Sequence, residues 1–178
     1  MTTATEPAAD NAADNAAENA ADATDDAPQF ATTRRVEFCD TDMAGIAHFA
    51  NFHRWMEQAE HDFFRSLGLP VMASPQDENG VSVVVGWPRV SAQCSYEKPA
   101  YRDDILQIGL DVQRIGYKSL SFEFTFHTDR DGERVRLARG KMKTACCKCR
   151  PDGSLESVPI PEHYLEKIHE KDPPPRAD

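Results

Sequence analysis

No apolar run in the 178-residue chain approaches the roughly 18 residues that a transmembrane helix needs, so membrane insertion is not expected. The N-terminus also lacks the basic-then-apolar layout of a secretory signal. Cysteine is sparse: Cys39, Cys94, Cys146, Cys147 and Cys149 make five, an odd number without the spacing of a disulfide framework. Reduced thiols in a cytoplasmic protein are the simplest expectation. Basic side chains are outnumbered, with 20 Lys and Arg against 30 Asp and Glu and a net charge of −10. That balance gives no electrostatic ground for binding nucleic acid or an anionic membrane.

The acidity is uneven. Residues 1–29 contain no Lys, Arg or aromatic side chain, yet they hold Glu6, Asp10, Asp14, Glu18, Asp22, Asp25 and Asp26. Their core, "NAADNAAENAADATDDAP", is an imperfect Ala/Asn/acid repeat. Such a segment cannot bury enough apolar surface to offset its ordering entropy, so a disordered acidic tail is expected over 1–29. The length suits one domain, expected over 30–170, with "KDPPPRAD" as a Pro-rich tail over 171–178.

From Ala31 the pattern becomes readable. "ATTRRVEF" is β-rich and predicts a strand, and "CDTDMAGIA" predicts a loop. Between Phe49 and Leu67 the apolar residues fall at Phe49, Phe52, Met56, Ala59, Phe63 and Leu67. These steps of three and four mark one helical face, with Arg54, Glu57, Glu60 and Asp62 largely elsewhere. Gly68 followed by Pro70 predicts the stop. After the polar loop "ASPQDENG", the segments "VSVVV" and "VSAQCSYE" straddle a kink at Trp87-Pro88. Two alternating runs then flank a hairpin at Gly116-Tyr117, and a third follows the "DRDG" turn. "PEHYLEKIHE" predicts a short helix opened by Pro161. One long helix and several antiparallel strands make an α+β layout, with the helix stripe packed on the concave face of a curved sheet.

The segment with most chemistry is "FCDTDMAGIAHFANFHRW". A helix start leaves N–H groups without intrahelical partners, and the helix dipole adds positive charge there. Ala47 and His48 are poor caps, so the donors are open to a ligand oxygen; alternatively, Asn51 caps a helix starting at Phe52. Asp42 lies beside that positive end, where a carboxylate can attack a carbonyl or activate water. Its structural alternative is an Asx turn within "TDMAG", and Asp40 is assigned to structuring the loop. "CCKC" lacks the paired spacing of a zinc site and predicts strand thiols. The six histidines are scattered, and no metal site is expected.

"VEFCDTDMAGIAHFANFHRWMEQAEHDFFRSLGLP" resembles the hotdog-fold acyl-CoA thioesterases, specifically the 4-hydroxybenzoyl-CoA thioesterase family that includes the Tol–Pal-associated enzymes. The shared features are a D-x-D-x-x-G loop (Asp40, Asp42, Gly45), then His48-Phe49, Asn51 and the long helix, with matching element order over about residues 31–165. The resemblance implies a hotdog fold, in which a curved antiparallel sheet wraps a long central helix. It implies that Asp42 is the catalytic carboxylate, and that the backbone N–H of Phe49 polarises the thioester carbonyl. Family members carry Tyr or His at the position of Phe49; here the histidine is one place earlier, at His48.

A second branch of these enzymes uses a helix glutamate, which makes Glu57 a candidate; the alternative is a glutamate solvated or bonded to His53 or His61. Cations for the coenzyme A phosphates would come from Lys118, Arg114 and Arg139, whose alternative is an ordinary solvated surface. Coenzyme A is then part of the substrate, with no separate cofactor, and a homodimer or tetramer is implied. A non-catalytic acyl-thioester or partner-binding module, with the acidic tail as a tether, is the competing function. Enoyl-thioester hydration is disfavoured, because "DTDMAGIAH" lacks the D-x-N-P-x-H pattern of that branch.

Overall fold

The computed structural model describes residues 27–73, 84–150 and 152–172. Most of the expected tails (1–26 and 173–178), much of the "ASPQDENG" loop and the start of "VSVVV" lie outside these residues. No helix among the described residues is long and apolar enough to cross a membrane.

Strand β1 (Phe30–Arg35) is followed by a 3₁₀ turn (Phe38–Asp40) and by the long helix α1 (Ala50–Ser66). Then come β2 (Val84–Gly86), β3 (Arg89–Tyr96), β4 (Ile105–Ile115), β5 (Ser119–Arg130), β6 (Glu133–Ala145), β7 (Cys147–Cys149) and β8 (Leu155–Ser157). A short helix, α2 (Glu162–Leu165), closes the series after Pro161. Five strands form one antiparallel sheet in the order β1-β4-β5-β6-β3. Three short ones make a second sheet, β2-β7-β8.

Alternation explains the main sheet. Leu106, Ile108, Leu110 and Val112 of β4 and Leu120, Phe122, Phe124 and Phe126 of β5 are buried on the helix side. Ser121, Glu123 and Thr125 alternate with them on the more open face. At the β5–β6 turn both Asp131 and Gly132 have positive φ, 53° and 83°, as a two-residue hairpin matched to strand twist requires.

Helix α1 buries Phe52, Trp55, Met56, Ala59, Glu60, Phe63 and Phe64. This stripe is wider than the expected one. Trp55 and Phe64 join it, whereas Phe49 is 60% exposed, because the sheet curls round the helix and covers more than one row of side chains. Met56 reaches the sheet where β6 has Gly140: a Cβ there would collide with Met56 Sδ. The helix ends as predicted. Gly68, at φ 65°, donates to Arg65 O at 3.0 Å and Leu69 donates to Phe64 O at 2.9 Å, the paired bonds of a Schellman motif.

Glu60 overturns its expected place off the buried face, for it is fully buried. Its Oε2 is ion-paired with Arg89, which also donates to Trp87 O at 2.8 Å and approaches Glu57 Oε1 at 3.4 Å. Glu60 Oε1 has no partner among the described residues. Burial, opposed by Arg89, pushes the Glu60 carboxyl up from its ordinary 4.5 to about 7. A carboxyl whose folded pKa is raised holds its proton more tightly when folded. Its contribution to stability is therefore complete below 4.5 and is lost as pH rises through about 7. Glu60→Gln should remove this component. Urea unfolding at about pH 5 and about pH 8 is expected to show a larger fall for wild type than for the variant, and equal falls would refute the assignment.

Candidate active site

The loop between β1 and α1 is built around the backbone of Asp40. Its carboxylate Oδ2 accepts from Glu37 N at 2.9 Å, and its carbonyl accepts both His48 N and Asn51 Nδ2, each at 2.8 Å. Asn51 therefore ties the helix to the loop instead of capping a helix at Phe52. Between these anchors the chain turns back on itself. Asp42 N donates to Ile46 O at 2.9 Å and Gly45 N to Asp42 O at 3.0 Å, with Gly45 at φ 76°. Thr41 and Ala47 then pair across the base of the loop. The expected Asx turn is present as well: Ala44 N donates to Asp42 Oδ1 at 2.8 Å. That bond leaves Oδ2 without a partner among the described residues.

Phe49 already has helical angles, φ −52° and ψ −34°, so His48 is the effective cap. Its Nδ1 accepts from Ala50 N at 3.3 Å, which requires that nitrogen to be unprotonated. Asn51 N and Phe52 N bond to His48 O and Phe49 O at 2.9 and 3.3 Å. The N–H of Phe49 has no acceptor among the described residues. It lies at the positive end of a 17-residue helix.

Asp42 and Phe49 line the same cavity, of about 510 Å³, with Ile46, Phe52, Tyr96 and Pro99 among the other walls. This volume suits a small-molecule site with mostly apolar walls and a few polar groups. Phe52 joins floor to core: its ring packs edge-on against Phe126 at 5.1 Å and against Tyr96 at 5.2 Å. Tyr96 also donates its hydroxyl to Phe49 O at 3.2 Å, and burial beside Cys94 raises its phenol pKa. A carboxylate and an unpaired N–H at a helix start, set in one apolar cavity, can together activate a nucleophile and stabilise a developing oxyanion.

The thioesterase-like superfamily model matches residues 36–168, most of the chain. The chain belongs to the thioesterase-like superfamily. It is thereby a thioester hydrolase, and its α+β architecture is the hotdog fold of that family. It is 30% identical over 133 residues to the 4-hydroxybenzoyl-CoA thioesterase of Pseudomonas sp. strain CBS-3, covering 75% of this chain and 92% of the relative. The 1,4-dihydroxy-2-naphthoyl-CoA hydrolase of Thermosynechococcus vestitus is 30% identical over 129 residues, covering 72% and 81% of the two chains. The solved structure of the Pseudomonas enzyme superposes with a TM-score of 0.67 at 27% identity, over 80% of this chain and 100% of that one. A gentisyl-coenzyme A thioesterase gives 0.60 at 28% identity, over 78% and 98%.

Other candidate residues of this thioesterase fall in different places. His48 stacks on Phe49, with ring centroids 4.4 Å apart, but is not among the cavity walls. Glu57 stands outside the cavity, 3.4 Å from Arg89; among the described residues it makes no hydrogen bond to His53 or His61, although its charge acts on His61. Lys118 Nζ donates to Ser157 O at 2.9 Å, and Arg114 is exposed near the same hairpin. Arg139 is not among the cavity walls but lies 3.5 Å from Glu97, a wall residue that Arg136 also grips at 2.9 and 3.0 Å. Along the β5–β6 ladder the hairpin end (Ser119↔Ala145) and the cavity end (Thr125↔Arg139) are six residues apart, roughly 20 Å at 3.3 Å per residue. Sequence reasoning missed Tyr96, Glu97 and Pro99. They follow a strand edge with no motif, and only the pairing of β3 with β6 brings them opposite Phe49.

Asn51→Ala removes the side-chain bond that joins helix to loop. A stability loss of about 1 kcal/mol is expected in urea titrations, and an unchanged midpoint would remove Asn51 from the support of the loop.

Proposed function

We propose that this enzyme hydrolyses acyl-CoA thioesters, aromatic acyl groups foremost. Asp42 serves as nucleophile or general base, and the N–H of Phe49 stabilises the oxyanion. The observation that carries this reading is the convergence of Asp42 and the unpartnered Phe49 N–H on one cavity. The thioester carbonyl carbon would lie between them. Its oxygen gains negative charge as Asp42, or a water that Asp42 deprotonates, adds to the carbon; the thiolate then leaves and takes up a proton. On the nucleophilic route, water next cleaves the acyl–Asp42 anhydride to release the acid and restore the carboxylate. A donor at this position is typically worth roughly 10²–10³ in rate. Bound against the rings of Phe49, Phe52 and Tyr96, an aromatic acyl group would have offset or edge-on partners. The names of the relatives, 4-hydroxybenzoyl-CoA and 1,4-dihydroxy-2-naphthoyl-CoA hydrolases, agree with that class.

Coenzyme A enters as part of the substrate, and no separate cofactor is invoked. Arg139 beside the wall residue Glu97, and Lys118 and Arg114 at the β4–β5 hairpin, are the cations proposed for its phosphates. Homo-oligomerisation belongs to the same proposal: among the described residues β3 pairs only with β6, leaving an edge on which Val90 and Tyr96 are 61% and 45% exposed. The cytoplasmic assignment rests on five thiols, all unpaired.

Free-thiol release from short, long and aromatic acyl-CoAs tests the reading. Asp42→Asn should lower turnover of the best substrate by about 10² or more. Phe49→Pro deletes the N–H at a φ that proline tolerates, and should cost about 10²–10³ in kcat beyond Phe49→Ala, which removes only the ring. Wild-type turnover by Asp42→Asn would exclude that carboxylate from the chemistry, and equal rates for Phe49→Pro and Phe49→Ala would exclude the donor.

A further inference from the structure

The wall of the cavity opposite α1 is a loop, residues 97–104, whose own hydrogen bonds are few. Its start hangs on Leu137 O, which accepts Glu97 N and Lys98 N at 2.8 and 3.1 Å. Its end is tied to Val36, which donates to Asp104 O at 2.9 Å and accepts from Asp103 N at 2.9 Å. Asp103 itself sits at φ 68°, a strained angle for a residue with a side chain. Arg136 holds Glu97 at the start of the loop, and a side chain from the far end of β5 bonds both its middle and its end. Arg130 Nη2 donates to Pro99 O at 2.7 Å and to Asp104 Oδ2 at 2.6 Å. The same guanidinium lies 4.8 Å from the ring centre of Tyr101. Asp104 Oδ2 also accepts Tyr101 N at 2.8 Å, so carboxylate, guanidinium and ring form one unit.

That unit faces the reactive segment through a single short ladder. Ala47 N donates to Ala100 O at 2.8 Å, and Ile46 pairs with Tyr101. Ile46 and Ala47 are two of the residues between Asp42 and Phe49, and Ile46 O accepts the Asp42 N–H at 2.9 Å, so the loop backs the segment that carries both groups. We infer that Arg130 is a positioning residue of the thioesterase site: it clamps the 97–104 loop, and the loop braces the Ile46–Ala47 backbone between carboxylate and oxyanion donor. Both bonds leave one terminal nitrogen, Nη2, while the guanidinium carbon lies over the Tyr101 ring. The shorter-headed ammonium of a lysine has no planar group to carry donors and ring contact at separate points, so it should hold the loop less firmly. The inference rests on the assignment of Asp42 and Phe49 proposed above.

The test uses the full chain, with Arg130→Met, Arg130→Lys and Tyr101→Leu beside Asp42→Asn. Two quantities are read for each: the kcat and KM of thiol release, and the hydrogen-exchange rate of the Ala47 amide against core amides of β4 and β5. For Arg130→Met, kcat should fall about 10- to 100-fold, as small misplacements of reacting groups do, with KM changed by less than about threefold. The Ala47 amide should exchange about tenfold faster or more, while the β4 and β5 amides keep their protection. Arg130→Lys and Tyr101→Leu should lie between wild type and Arg130→Met in both readouts, and they carry the test if Arg130→Met does not fold. A kcat within twofold of wild type, or an Ala47 amide as protected as in wild type, overturns the clamp. Full activity of Asp42→Asn would instead sink the assignment of the site, and the Ala47 exchange rates would still decide whether Arg130 holds the loop.

Discussion

Helix α1 can lie only one way on its sheet. Phe52, Met56, Phe63 and Phe64 are buried on the side chains of β4, β5 and β6, and full burial of each is worth about 1.5–3 kcal/mol. The bare backbone at Gly140 admits Met56, and the Schellman turn at Gly68 stops the helix before it overruns the core. With axis and rotation held in this way, the first turn must emerge beside the end of β3. The Phe49 N–H then meets the cavity because the core beneath it holds the helix in this position.

The active loop follows a related economy. Residues 40–51 supply the carboxylate, an N–H with no acceptor among the described residues, the substitute cap of His48 and the tie of Asn51, all within one short stretch. Leaving a donor unpaired would cost roughly 1–3 kcal/mol in the interior. At the mouth of an open cavity that cost is small, since water can serve the N–H until a substrate oxygen replaces it. The two oxygens of Asp42 differ: Oδ1 accepts the Ala44 N–H of the turn that orients the side chain, and Oδ2, without a partner among the described residues, is the oxygen that the proposed chemistry would use. The functional and structural roles of this aspartate are therefore compatible.

Glu60 shows what such a core tolerates. It lies one turn beyond Glu57 in a helix whose polar positions otherwise face outward, yet the curl of the sheet covers it and Arg89 reaches in from β3. Pairing with one guanidinium does not repay the burial of a carboxylate, which is why the proton is held so far up the scale.

Much was legible in the sequence because the responsible forces act between near neighbours. Apolar spacing marked α1 and its end at Gly68, alternation marked the long strands, and the D-x-D-x-x-G loop before an uncapped helix marked the segment that carries Asp42 and Phe49. What stayed hidden depends on contacts between residues far apart in the chain. The wider buried stripe and the burial of Glu60 follow from the curvature of the sheet, which no local pattern encodes. Tyr96, Glu97 and Pro99 reach the cavity only because β3, distant in sequence, joins the sheet beside β6. The separation of Arg139 from Lys118 and Arg114 is likewise a matter of strand register. Local sequence determined which residues could carry the reaction, and tertiary packing decided which of them stand together, because backbone periodicity is written in neighbouring side chains and sheet order is not.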